Sequence, residues 1–253
     1  MLALFCHPQS HAPLALELGD LVTSNGERFP VEDGIPRLLP PQIPFRHRFW
    51  AWVYNQTAFA YDWGVAFAWG LKLGGQPIER RTYLEKIKLK PDALVLETAV
   101  GTGLNIQQLP AHARYVGLDI SFAMLQRCQK NLAGWGREAT LVQGDAQWLP
   151  FREGVFDAVY HMGGLQFLAE PQRALAEALR VTKPGGHIWM VDEAYSVPRL
   201  VRHARGMIPP RGTAPAQTGV EALSALVPPS ADDIHAELIS NGELYFLSFR
   251  KRF

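Results

Sequence analysis

The stretch "LETAVGTG" (Leu96–Gly103) decides how this chain is read: an apolar run with a carboxylate near its end passes into two glycines within three residues. It has the form of a buried strand entering a turn where backbone comes close to a ligand. Two nucleotide loops are poor matches. A dinucleotide loop needs glycine at the last position of G-x-G-x-x-G, where this chain has Ile106, and a phosphate loop needs Gly-Lys-Ser/Thr, which does not follow the turn. What remains is a ligand without pyrophosphate, held by backbone amides and acidic residues, with positive charge and hydroxyl groups of its own.

Outward from this turn, strand-like and helix-like segments alternate. "ALVLET" (93–98), "RYVGLDI" (114–120), "EATLVQGD" (138–145), "VFDAVYHM" (155–162) and "GHIWMVDEA" (186–194) are β-rich apolar runs. Between them, "GLNIQQL" ends at Pro110, "SFAMLQRCQKNLAG" opens on Ser121 as N-cap, and "PQRALAEALRVT" (171–182) starts on a proline. The C-terminal "IHAELIS" and "ELYFLSFRKRF" flank Asn241-Gly242, a hairpin signal. The pattern predicts an α/β, doubly wound, Rossmann-like sheet of seven strands, mostly parallel and closed by an antiparallel hairpin. Ligands of such sheets sit at the carboxyl ends of the strands, which picks out Glu97, Asp119, Asp145 and His161.

These motifs, in this order, resemble the class I S-adenosylmethionine-dependent methyltransferases, and more narrowly the type 11 and quinone-methylating members. The resemblance covers roughly residues 78–194. The family's acidic-x-Gly-x-Gly-x-Gly motif stands here as Glu97-Thr98-Ala99-Val100-Gly101-Thr102-Gly103, and its ribose-binding acid matches Asp119, 22 positions after Glu97. "GDAQWLPF", "FDAVYHMGG" and "LRVTKPGGHIWMVDEA" match later motifs. The resemblance implies S-adenosylmethionine as cofactor, S-adenosylhomocysteine as product and no metal. It also implies a cofactor set of Glu97, Thr98, Ala99, Gly101, Gly103, Asp119, Ile120, Met124, Asp145, Ala146, His161 and Tyr54. Asp119 would bind the ribose hydroxyls through two oxygens, Glu97 would steer the ligand's ammonium directly or through water, and Met124 with Asp145 and Ala146 would meet the adenine. Met124 reads equally as core, and Asp145 as a turn residue. Ala99 departs from the motif's glycine: if that position needs positive φ, the cost is about 1 kcal/mol or more.

His161, Tyr61 and Glu193 are the acid–base candidates. A strand-end histidine before "MGG" suits a base for a phenol or enol, and it suits a structural hydrogen bond as well. Asp192, Glu193 and Tyr195 end the next strand motif. Arg199, Arg202, His203, Arg205 and Arg211 cluster after it, either against an anionic substrate group or as a solvated face.

Three segments follow: 1–44, a small N-terminal β appendage; 45–90, an aromatic-rich helical lid with the first helix; and 91–253, the cofactor-binding core. "SNGERFPVEDGIPRLLPP" carries Asn25-Gly26 and Asp33-Gly34 as turn signals and resembles the end of the zinc-ribbon-like domain ahead of some methyltransferases. Of its cysteine pairs only Cys6 remains, with His7 beside it, which is too few for four tetrahedral ligands, so no structural zinc is expected. The apolar stretch 49–71 is interrupted by Asn55, Gln56 and Asp62; a mid-membrane aspartate costs about 2.5–3.5 kcal/mol, so a soluble helix is expected. With 253 residues, a formal charge of +1 and two cysteines, neither a nucleic-acid binder nor a disulfide scaffold is indicated. The expectation is a cytoplasmic methyltransferase of a small aromatic, quinone-like or lipid-like acceptor, with peripheral membrane contact compatible and oligomeric state open. An RNA base methyltransferase and a non-catalytic cofactor-binding partner are the alternatives.

Overall fold

The computed structural model describes residues 2–43, 45–70, 75–163, 165, 168–193, 224–240 and 244–253, with the side chains of 46, 59–70, 75–79 and 193 outside the description. In chain order the N-terminal elements are β1 (Leu14–Glu17), β2 (Asp20–Thr23), β3 (Arg28–Phe29), β4 (Val31–Glu32) and β5 (Ile35–Pro36), then α1 (Phe45–Gly70) and α2 (Gly75–Leu84). The core follows as β6 (Leu94–Thr98), α3 (Leu104–Gln108), β7 (Arg114–Asp119), α4 (Phe122–Gly134), β8 (Thr140–Gln143), β9 (Phe156–Met162), α5 (Pro171–Val181), β10 (Thr182–Glu193), β11 (Ala231–Ile239) and β12 (Leu244–Lys251).

Seven strands form one sheet in the order β11-β12-β10-β9-β6-β7-β8. Among its neighbouring pairs, those from β8 to β10 are parallel and both pairs involving β12 are antiparallel. The strand order reverses between β6 and β9, so their carboxyl ends open the crevice where such sheets bind ligands. Strand period two divides the core. Val95, Tyr115, Leu141, Tyr160 and Trp189 pack with Ile106, Leu125 and Leu132 on one face; Leu96, Val116, Val142, Val159 and Ile188 pack with Leu175 and Leu179 on the other.

The second face also buries Phe5, Leu14, Leu21, Phe29 and Leu38 of the N-terminal appendage. Phe5 stacks on Phe151 with ring centroids 5.7 Å apart, and the Cys6 N–H donates to the Pro150 carbonyl at 3.0 Å. Packing on the core therefore holds this segment. Its hairpins confirm the Asp33-Gly34 turn, whose φ values of 53° and 77° are the left-handed pair that a two-residue loop requires. Asn25-Gly26 sits in a wider connection, closed by the Thr23 N–H donating to the Glu27 carbonyl at 3.0 Å. Where a zinc ribbon would bring cysteines together, the His7 Nδ1 accepts the N–H groups of Gln9 and Ser10, and Nε2 lies 3.0 Å from the Glu27 carboxylate. Among the described residues no three His, Cys, Asp or Glu side chains converge as a metal site, and no helix is long and apolar enough to cross a membrane.

Candidate active site

The turn after β6 is built on left-handed backbone. Ala99, Gly101 and Gly103 have φ of 57°, 54° and 85°. For an alanine this costs about 1 kcal/mol, and the surroundings impose it: the Val100 N–H donates to the Leu118 carbonyl and the Gly103 N–H to the Val100 carbonyl, both at 3.0 Å. Gly103 is required twice, since a Cβ there would also stand 2.8 Å from Cys128 Sγ on α4.

Asp119 ends β7 beside this turn. Its Oδ2 accepts the Gly101 N–H and its Oδ1 the Ser121 N–H, each at 2.9 Å. Burial pushes its pKa up, and the backbone amides oppose that shift. With one amide on each oxygen, further lone pairs remain for hydroxyl donors. Ser121 then caps α4 by accepting the Met124 N–H at 3.2 Å, a cap worth about 1 kcal/mol.

Glu97, on the neighbouring strand, is held by side chains. Its carboxylate is fully buried with both oxygens occupied, one by Asn105 Nδ2 at 2.6 Å and the other by the Tyr160 hydroxyl at 2.5 Å. Strand alternation turns it to the face opposite Thr98. Burial pushes its pKa up to about 7, opposed by those two hydrogen bonds and by Arg80. Arg80 in turn donates to Asn105 Oδ1 at 2.6 Å.

His161 lies at the end of β9 opposite Thr98 in register and is 2% exposed. Its Nδ1 is 2.9 Å from Thr98 Oγ1, and Nε2 is buried with no hydrogen-bond partner among the described residues. Because the Thr98 hydroxyl reaches the Tyr160 carbonyl at 3.5 Å, the consistent tautomer has Nδ1–H donating to Thr98 and Nε2 bearing the lone pair. Burial holds the imidazole down to about 4, neutral at physiological pH.

The segment 45–90, expected to hold a helical lid and a first helix, contains α1 and α2, and α1 makes two polar contacts with the core that no sequence pattern pairs. His47 Nδ1 is 2.7 Å from Asp145 Oδ2 while its Nε2 accepts the Ala169 N–H at 3.0 Å. This fixes the proton on Nδ1. Asp145 Oδ1 accepts the Gln147 N–H at 2.8 Å, so both of its oxygens already carry a partner, one of them on α1. Further along α1, Asn55 Oδ1 accepts from the Ser121 hydroxyl at 2.7 Å and the Ala123 N–H at 3.2 Å. Met124 and Ala146 are buried and Ile120 is half-buried at the same strand ends. Tyr54 is half-buried on α1, its ring 5.9 Å from that of Trp50. The side chains of Tyr61 and Glu193, residue Tyr195 and the basic cluster 199–211 lie outside the described residues. Asp192 is buried.

The site thus combines a Rossmann-like sheet, a left-handed glycine turn and a buried carboxylate beside it. Residues 96–190 match the family model described as methyltransferase domain. The chain is 38% identical over 120 residues to the demethylmenaquinone methyltransferase of Thermobifida fusca, covering 47% of this chain and 51% of that one. It is also 38% identical over 119 residues to that of Mycolicibacterium vanbaalenii, covering 47% and 50%. The chain thus spans about half the length of the curated relatives it matches. Among solved structures it is similar in fold to Haemonchus contortus phosphoethanolamine N-methyltransferase 2 in complex with S-adenosyl-L-methionine (TM-score 0.63, 15% identity, 86% of this chain and 62% of that one). It is likewise similar to a chain from a Haloferax volcanii complex of the Trm112 methyltransferase activator and a putative methyltransferase (TM-score 0.61, 16% identity, 79% and 98%).

Proposed function

We propose that this chain is an S-adenosylmethionine-dependent methyltransferase acting on a small, quinone-like acceptor in the cytoplasm. The observation that carries the reading is Asp119: a buried carboxylate held on one amide per oxygen, beside a left-handed turn, with lone pairs to spare for two neighbouring hydroxyls. S-adenosylmethionine supplies a methyl group on a positively charged sulfur. The residues present suit it: Asp119 for the ribose, Thr98 and the Ala99–Gly103 turn for backbone approach, Ile120, Met124 and Ala146 for the adenine. Asp145 would meet the adenine edge with its remaining lone pairs, and Tyr54 the methionine part. Glu97 acts behind the turn by fixing Asn105 at the start of α3.

His161 is the proposed base. Its neutral Nε2 accepts the hydrogen bond of an acceptor hydroxyl, and the proton follows late, as the acceptor gives electron density to the new bond and its acidity rises. Tyr61 and Glu193 are the other acid–base groups of the proposal, by position alone. The demethylmenaquinone methyltransferase relatives support the quinone-like acceptor and weigh against RNA and against a non-catalytic partner. The free cysteines Cys6 and Cys128, both buried, accord with a reducing compartment. A lipid-soluble acceptor approaches from an apolar surface, and Phe45 and Trp52, 76% and 60% exposed on α1, supply aromatic side chains of the kind that settle at membrane interfaces. Peripheral lipid contact belongs to this reading, and co-sedimentation with anionic vesicles that Trp52→Ser weakens checks it. Calorimetry with S-adenosylhomocysteine tests the cofactor; methyl transfer to a naphthoquinol, against phenols and RNA, tests the acceptor. Absence of binding overturns the whole reading, and transfer to RNA alone overturns the acceptor.

A further inference from the structure

The N-terminal appendage does more than cover apolar surface. After β5 the chain continues alongside the sheet edge: Arg37 forms a parallel bridge to Gln143 of β8, and the Leu38 N–H donates to the Gln143 carbonyl at 2.8 Å. The side chains repeat the link. Arg37 Nε donates to Gln143 Oε1 at 2.9 Å, and the other end of the same amide, Nε2, donates to the Ile120 carbonyl at 3.0 Å. Ile120 lies between Asp119 and Ser121, so this relay ends on the backbone of the loop that presents the ribose carboxylate. Arg37 is itself held, with Nη1 2.9 Å from Glu32 Oε2 and its guanidinium carbon 4.8 Å from the centroid of Phe122, the first residue of α4. Asp33 adds two contacts to α4, accepting from Gln126 Nε2 on its carboxylate and from Gln129 Nε2 on its carbonyl, both at 3.0 Å.

We propose that the appendage is a built-in activator of the cofactor site, in which Arg37 is a positioning residue that sets the β7–α4 loop through the Gln143 amide. The inference rests on the cofactor reading above. An amide is needed at 143 because it must accept from a cation at one end and donate to a carbonyl at the other. Arginine is needed at 37 because one planar group must serve Gln143, Glu32 and the face of Phe122 together.

The test uses the full chain with S-adenosylhomocysteine as probe. Arg37→Ala is expected to raise its Kd about fivefold to tenfold, with a raised KM for S-adenosylmethionine and unchanged kcat. Gln143→Glu keeps an acceptor for Arg37 and removes the donor to Ile120; it is expected to weaken binding equally, measured at a temperature where the variant remains fully folded. Arg28→Ala, which breaks an exposed pair with Asp20 in the same appendage, is expected to leave Kd within twofold. Wild-type affinity in Gln143→Glu, or an equal loss in Arg28→Ala, overturns the proposal. Should Arg37→Ala fail to fold, Gln143→Glu decides alone. If the wild type does not bind the probe, the cofactor reading has failed and not this relay.

Discussion

The carboxyl ends of β6 and β7 carry two buried acids on adjacent strands, and they have been put to opposite uses. Glu97 accepts from side chains, Asn105 and Tyr160, and is 0% exposed, so its other lone pairs stay enclosed in the core. Asp119 is held by backbone amides that occupy one lone pair of each oxygen and leave the others at the loop. The difference teaches that two buried acids can be held in different ways, and on the proposed reading only the second is offered to a ligand. What matters is whether its partners are side chains that enclose it or loop amides that aim it.

The sharpest way to break this contrast is Asp119→Ala. It is expected to abolish binding of S-adenosylhomocysteine, a loss of more than 100-fold, and to cost about 1–3 kcal/mol of stability because two amides lose their acceptor. Calorimetry and denaturant titration read the two effects separately. A largely intact affinity would mean that Asp119 only folds the loop.

Second in size is His161→Asn, expected to lower kcat about 10²-fold to 10⁴-fold, with cofactor affinity nearly unchanged. With the imidazole held down to about 4 by burial, the wild-type rate should show no acid limb near pH 6.5. Its fall should begin only as pH approaches 4, to be followed in a pH profile of kcat.

Glu97 supplies the third, through stability. Its folded pKa is raised from 4.5 to about 7, so the folded protein holds a proton that the unfolded chain has lost. The associated stabilisation is complete below about 4.5 and disappears as pH rises through about 7, a change of about 3 kcal/mol. Glu97→Gln, which can satisfy Asn105 and Tyr160 without ionising, is expected to flatten that slope in urea titrations at pH 5 and pH 8. Its affinity for S-adenosylhomocysteine should stay within about threefold at saturating stability. A large loss of affinity would make Glu97 a ligand after all.

The smallest effect is Ala99→Gly. It relieves a left-handed alanine and is expected to raise stability by about 1 kcal/mol at most, since glycine also loosens the unfolded chain. Thermal melting measures it.

What the sequence revealed and what it hid follow from distance along the chain. The glycine turn, Asp119 and the Ser121 cap are local patterns in which residue type and spacing carry the chemistry, and the strand and helix alternation from Pro91 onward placed the sheet. The contacts that complete the site are of another kind. His47 reaches Asp145, Asn55 reaches Ser121 and Arg37 reaches Gln143 across long stretches of chain, and none of these polar residues stands in a pattern that names its partner. The enclosure of Glu97 was hidden likewise, because Tyr160 reads as an ordinary strand residue until its register opposite Glu97 is known. Some turns also carry no sequence signal: Leu18 takes φ 52° in the β1–β2 turn, a conformation its branched side chain does not advertise.

The pairing of Arg37 with Gln143 also sets an order of events in folding. These residues are 106 positions apart, so the first forty residues leave the ribosome long before the strand they dock on exists. The loop-closure cost of that docking falls late. Until β8 is in place, Phe5, Leu14, Leu21 and Phe29 have no core to enter, and the sheet edge they will cover stands open to other chains. Refolding should therefore show a sheet that forms first and an N-terminal segment that is protected from hydrogen exchange last.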